Sequence, residues 1–167
     1  MQTMYNSFEE LAGRVHQLET MKRDFILPSA YATVQDDGQH IHLETTDCYR
    51  GKMSEQFIKQ LCGWSKVPYT YYKTMVERAE PELIQSNLNT WLKNPPKGAR
   101  NRLFRTYDHD TWNDNMFRSY HSDRFLTFDN YDLLDGIMPV LERLDKQVNG
   151  LEFVSMGLTD NKLYLKI

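Results

Sequence analysis

The sequence predicts an α+β fold, an antiparallel sheet packed against several helices, with residues 1–167 forming a single domain. Three observations predict it. Apolar residues recur at helical spacing in some stretches, they alternate at strand spacing in others, and the two kinds interleave along the chain. The residues between them are of the types that start helices and turn strands.

The first element opens on Ser7-Phe8-Glu9-Glu10, which reads as a capping box. Tyr5, Phe8, Leu11, Val15, Leu18 and Met21 then follow the spacing of one amphipathic helix. Residues Asp24 to Glu44 read as strands: Phe25-Ile26-Leu27, then Tyr31 to Val34, then Ile41 alternating with Leu43, with Asp37-Gly38 as a hairpin pair. Ser54 begins a helix with Phe57, Ile58, Leu61 and Cys62 on one face, and Pro68 and Pro81 each suit the first turn of a further helix. Leu83, Ile84, Leu88, Trp91 and Leu92 give the helix after Pro81 a buried side, and Asn94-Pro95-Pro96 ends it.

Beyond that break, Asn101 to Tyr107 and Asn115 to His121 read as two strands joined by the polar connection Asp108 to Asp114. A helix from near Asn130 carries Leu133, Leu134, Ile137, Met138 and Leu141, with Pro139 expected to kink or interrupt it. Leu151 to Met156 and Lys162 to Ile167 read as a final hairpin around Thr159-Asp160-Asn161. A strand pattern that runs up to Ile167 is expected of a truncated chain, or of an edge strand finished by a neighbouring copy in a homo-oligomer.

Composition narrows the function classes. A formal net charge of −3 and a pI near 5.9 argue against polyanion binding through overall charge, so any contact with nucleic acid needs a local patch. Cys48 and Cys62 lie outside any zinc-binding spacing and are expected to be reduced thiols. Residues 1–6 do not open a secretory signal, and no segment has the ~18 to 20 consecutive apolar residues of a membrane span. A cytoplasmic location follows as the expectation, in a host cell if the gene belongs to a phage. The chain has no glycine-rich phosphate loop, which argues against nucleotide hydrolysis.

The local patch is Arg100, Arg102, Arg105, Arg118 and Arg124 with Tyr107 and Tyr120. Guanidinium groups hold phosphates while phenol rings stack on bases of any sequence, which is what a single-stranded nucleic-acid surface requires. Strand alternation puts Leu103, Arg105 and Tyr107 on one face of the first strand and Met116, Arg118 and Tyr120 on one face of the second. The competing account is structural: strand arginines cover apolar surface with their stems or pair with carboxylates such as Asp108, Asp110, Asp114 and Asp123.

Asp108, His109, Asp110 and Asp114 offer oxygen and imidazole ligands of the kind that hold magnesium or manganese, although carboxylates in such a loop more often form turns. His40, His42 and Glu44 share a strand face with a geometry that suits zinc, yet two histidines do not complete a site. Ser119 and Ser122 near His121 lack the elbow and orienting acid of a nucleophile. Tyr69, Tyr72 and Met75 share a helical side and are expected to pack inward. No catalytic residue and no cofactor are expected.

Three blocks carry a family resemblance: Phe57 to Pro68 followed by Tyr71-Tyr72; Asn87 to Leu92; and Phe117 to Phe125 with Asp129-Asn130 and Leu133-Leu134. In their order the chain resembles the phage- and plasmid-associated family catalogued as domain of unknown function 932, either its N-terminal portion or a short version. The resemblance implies a mobile-element setting among replication and recombination functions. The function expected is single-stranded nucleic-acid binding, of the kind a recombination or strand-annealing protein performs as a ring or filament. The alternative is a protein-interaction module that inhibits or modulates a host protein. A metal-dependent nuclease comes third.

Overall fold

The capping box forms as its residues dictate: Ser7 Oγ accepts from the Glu10 N–H at 3.2 Å, and the Glu10 carboxylate accepts from the Asn6 N–H at 3.1 Å. The computed structural model describes residues 3–35, 38–95, 101–108, 115–126, 128–148, 150, 152, 154–158 and 163–166. In chain order the elements are β1 (Thr3–Tyr5), α1 (Phe8–Met21), β2 (Lys22–Pro28), β3 (Ala32–Gln35), β4 (His40–Leu43), β5 (Tyr49–Met53), α2 (Glu55–Ser65), α3 (Tyr69–Glu77) and α4 (Pro81–Lys93). They continue with β6 (Asn101–Tyr107), β7 (Met116–Ser122), α5 (Asn130–Val148), β8 (Ser155–Leu158) and β9 (Leu163–Lys166). The fold is α+β.

The chain divides into two compact units, Met21–Phe125 and Met1–Thr20 with Leu126–Ile167. In the second, the sheet order is β1-β8-β9, and Leu11, Val15, Leu134, Met156 and Leu158 form its buried core. Helix α5 runs on through Pro139. That proline lies on the exposed side of the helix, where the carbonyl its missing N–H leaves unbonded can turn to solvent. The turn predicted at residues 159–161 lies outside the described residues, but β8 and β9 pair around it, Leu158 facing Leu163.

The larger unit is built on a six-stranded sheet of order β2-β6-β7-β5-β4-β3, antiparallel except where β5 runs parallel to β7. Ala32 and Val34 of β3, Ile41 and Leu43 of β4, and Tyr49 and Met53 of β5 are buried at alternate positions. They join Phe57, Leu61, Tyr72, Ile84, Leu88 and Leu92 from α2, α3 and α4 in one core. The three helices therefore cover one face of the sheet. Leu83 and Trp91 are exposed, contrary to expectation, because the side of α4 that meets the sheet is the narrower stripe Ile84, Leu88, Leu92. Tyr72 and Met75 do pack inward.

Ser54 starts α2, its Oγ accepting from Phe57 N–H at 3.1 Å, and the same hydroxyl donates to the Arg118 carbonyl at 2.9 Å. This double use ties α2 to β7. Pairing between β5 and β7 stops at Met53 and Phe117. Past that point the Gln60 side chain of α2 substitutes for the strand, its Oε1 accepting from the Tyr120 N–H at 2.8 Å. Gln60→Ala would leave that N–H without its partner beside a buried residue. The expected loss is about 1–2 kcal/mol in urea unfolding, and an unchanged midpoint would show that water replaces the amide.

Candidate functional site

Two of the sequence-predicted binding residues belong to the framework. Arg105 is 8% exposed, and its guanidinium donates in two-point fashion to its cross-strand neighbour Asp24, Nε at 2.9 Å and Nη2 at 2.8 Å. Tyr120 is 2% exposed, with its ring 5.1 Å from that of Phe104 and 5.6 Å from that of Phe57. Burial raises its hydroxyl pKa. Neither side chain has a face free for a nucleobase or phosphate, so the roles assigned to Arg105 and Tyr120 from strand alternation are corrected.

The physical reason for the second correction is a β-bulge. Arg105 pairs with Ser119, but the next residue of β6, Thr106, pairs with Phe117, so Arg118 is the extra residue. The bulge reverses the alternation along β7. Phe117 and Tyr120, an odd number of positions apart, both enter the core, and Arg118 does not share a face with Tyr120. Arg118 instead lies over the Tyr107 ring, with Cζ 5.3 Å from its centroid.

Arg102 stacks on Tyr120 at 4.6 Å and on Trp64 at 5.5 Å. It packs against the rings of the helix-covered side. Arg124 is exposed in the turn after β7. Arg100 lies outside the described residues. So do His109, Asp110 and Asp114 of the metal candidates. The fourth, Asp108, accepts from the Tyr49 hydroxyl at Oδ1 and pairs with Arg23 Nε through Oδ2, so both of its carboxylate oxygens are engaged. Tyr49 has its pKa raised by burial and then by that carboxylate. Among the described residues no group of three His, Cys, Asp or Glu is placed to hold a metal.

Register gives the site its larger frame. Gln35 pairs with His40, His40 with Lys52, Lys52 with Met116, Met116 with Tyr107, and Tyr107 with Lys22. These six residues form one row across all six strands. In β3, β4 and β5 the row alternates with the buried positions, so it lies on the face turned away from α2, α3 and α4. A second, shorter row on that face is Thr33, His42 and Arg50. Directly opposed side chains sit about 5 Å apart at Cβ. Lys52, Arg50, Lys22 and Arg118 thus share a surface with the rings of Tyr107, His40 and His42. The zinc geometry suggested for His40 and His42 meets cations here, since their β5 partners are Lys52 and Arg50.

Sequence reasoning missed Arg50, Lys52 and Lys22. Strand β5, Tyr49-Arg50-Gly51-Lys52-Met53, holds a glycine where the alternation needs an inward side chain, and that hides its period. The recoverable signal is Tyr49 and Met53 on one parity with Arg50 and Lys52 on the other.

Beside this surface, His121 stacks on Phe125 with ring centroids 3.8 Å apart and 7° between planes, and its Nε2 lies 3.2 Å from Gln60 Nε2. Burial first, then the charges of Arg105 and Arg102, lowers its pKa. The folded imidazole resists protonation, so the unfolded chain takes up the proton first as pH falls. This contribution is complete above the ordinary histidine value of about 6.5 and is lost as pH drops below it toward the lowered folded value. The urea midpoint is therefore expected to fall between pH 7 and 5.5 more steeply in the native protein than in His121→Gln. Equal slopes would remove His121 from the account.

No helix among the described residues is long and apolar enough to cross a membrane. Comparison with family models, with curated proteins and with solved structures finds no match.

Proposed function

We propose that this protein binds single-stranded nucleic acid on the sheet face turned away from α2, α3 and α4, using Arg118, Lys52, Arg50 and Lys22 for phosphates and Tyr107 for bases. The observation that carries the reading is the bulge at Arg118, which sets a guanidinium over the Tyr107 ring in line with Lys52. Bulges re-aim side chains in this way beside functional sites. A cationic surface interleaved with rings suits unpaired bases, whose π-faces are open to stacking whatever their sequence. The acidity of the whole chain is no obstacle, because counterion release depends on the charges that meet phosphates. The three blocks that resemble domain of unknown function 932 support a phage or mobile-element setting, with strand handling during recombination in the host cytoplasm.

The test is polarisation binding of a labelled thymidine oligonucleotide at 50 and 200 mM salt. Four phosphate contacts on a single strand, one for each of these cations, reduce affinity on the order of fiftyfold across that interval. Lys52→Ala and Arg118→Ala should each weaken binding at low salt, and each should flatten the logarithmic salt slope by about 0.7. Unchanged affinity and slope in both variants would sink the assignment.

A second reading, the protein-interaction module, is favoured by Leu126 at 90% and Phe128 at 72% exposure, an apolar pair in contact with little of the fold. It predicts no oligonucleotide binding at low salt and loss of partner capture in Leu126→Ser.

A further inference from the structure

The row across the sheet has an order as well as a charge. From β2 to β3 it reads Lys22, Tyr107, Met116, Lys52, His40, Gln35: a cation followed by a ring and a thioether, then a cation followed by a ring and an amide. Arg118 joins the first half through its contact with Tyr107. The repeat cation-then-ring runs perpendicular to the strands. Along the strands the same face gives no such repeat: β5 offers Arg50 and Lys52 without a ring, β4 offers His40 and His42 without a Lys or Arg, and on β6 the Arg105 that precedes Tyr107 is bound to Asp24.

We propose that the nucleic acid is an extended single strand that crosses the sheet along this row, with phosphates at Lys22 with Arg118 and at Lys52, and bases against Tyr107 with Met116 and against His40. This rests on the function proposed above. Six strands at about 4.8 Å spacing give the row a length of about 24 Å. That length accommodates on the order of four nucleotides, the lower end of what one such β-module covers. A duplex is not the expected ligand, because its bases are stacked internally and present no open faces to the row. Gln35, at the far end, supplies an amide that donates and accepts, the group suited to a base edge.

Two measurements on the full chain test the path. The first is affinity for thymidine oligomers of about two, four, eight and sixteen nucleotides. It should rise about tenfold or more from two to four, and beyond four only as the number of equivalent registers on the oligomer increases. The second is photocrosslinking of an oligomer of about four nucleotides carrying 4-thiothymidine at one end or the other, mapped by mass spectrometry. One end should attach to peptides containing β2 or β6, and the opposite end to peptides containing β4.

Long oligomers that fail to bind at low salt would overturn the functional reading itself. Long oligomers that bind, and bind less well to Lys52→Ala, would uphold that reading. Under that outcome, affinity that climbs beyond the statistical increase, or both ends crosslinking to the same strand, would overturn the crosswise path alone. Duplex bound as tightly as single strand would also overturn it.

Discussion

Gly51→Ala is expected to lower the unfolding free energy by about 3 kcal/mol, the upper part of the range for forcing atoms into a filled site. A Cβ at Gly51 would lie 2.9 Å from the Asn115 carbonyl carbon and closer still to its oxygen. Both are backbone atoms, so no side-chain rotation relieves the clash. Nor can the strands simply part: the Lys52 N–H donates to that same Asn115 oxygen at 2.9 Å, and the Asn115 side-chain amide donates to the Arg50 carbonyl. Relief would break the contacts that hold β5 beside β7. Gly38 makes the useful comparison, because a Cβ there meets the Ile84 side chain instead of backbone, although its φ of +74° adds strain of a different kind. Urea unfolding followed by circular dichroism measures the effect. A native midpoint in Gly51→Ala would mean that β5 and β7 approach less closely than described.

Asp24→Ala is the second large effect, expected at about 2–3 kcal/mol. Arg105 is nearly buried, while the carboxylate that answers it is more open to solvent, its side chain 28% exposed. Deleting the carboxylate leaves a guanidinium in a poorly hydrated position. Most of the loss comes from that stranded charge and little from the intrinsic worth of the pair. The partial exposure of Asp24 places the figure below the range for fully buried pairs. Removing the charge as well should therefore recover stability. Asp24→Ala with Arg105→Met is expected to unfold at a higher urea concentration than Asp24→Ala alone. A double variant no more stable than the single would place the cost in lost packing of the arginine stem.

Much of the fold is legible in the sequence wherever local chemistry decides the outcome. The Ser7 box, the Ser54 cap, Pro81 at the first turn of α4, and the strand Asn101–Tyr107 all depend on residues close to one another in the chain. The candidate site is less legible because it depends on register between distant segments. The arginine and tyrosine cluster correctly drew attention to β6 and β7, yet alternation alone placed Tyr120 beside Arg118. One unpaired residue reverses that placement, and pairing cannot be read from a single strand. Arg105 illustrates a different limit. A strand arginine opposite an aspartate serves structure, and its partner Asp24 comes from a strand 81 positions away, not from the nearby acidic loop. Lys52 and Arg50 stayed hidden behind Gly51, whose missing side chain is required by the approach of Asn115.

The extra residue in β7 also separates two kinds of change that this protein can undergo. At most positions in a paired strand, altering a side chain disturbs the core or the cross-strand neighbours. Arg118 has no opposite number on β6 and does not enter the core, so substitution there alters the surface chemistry with little cost to the fold. Loss of the residue would also spare the core, because Phe117 would still oppose Thr106 and Met116 would still oppose Tyr107, by regular alternation. Position 118 is thus open to variation in identity and in length, which makes it the place where the chemistry of this face can drift while the scaffold stays fixed.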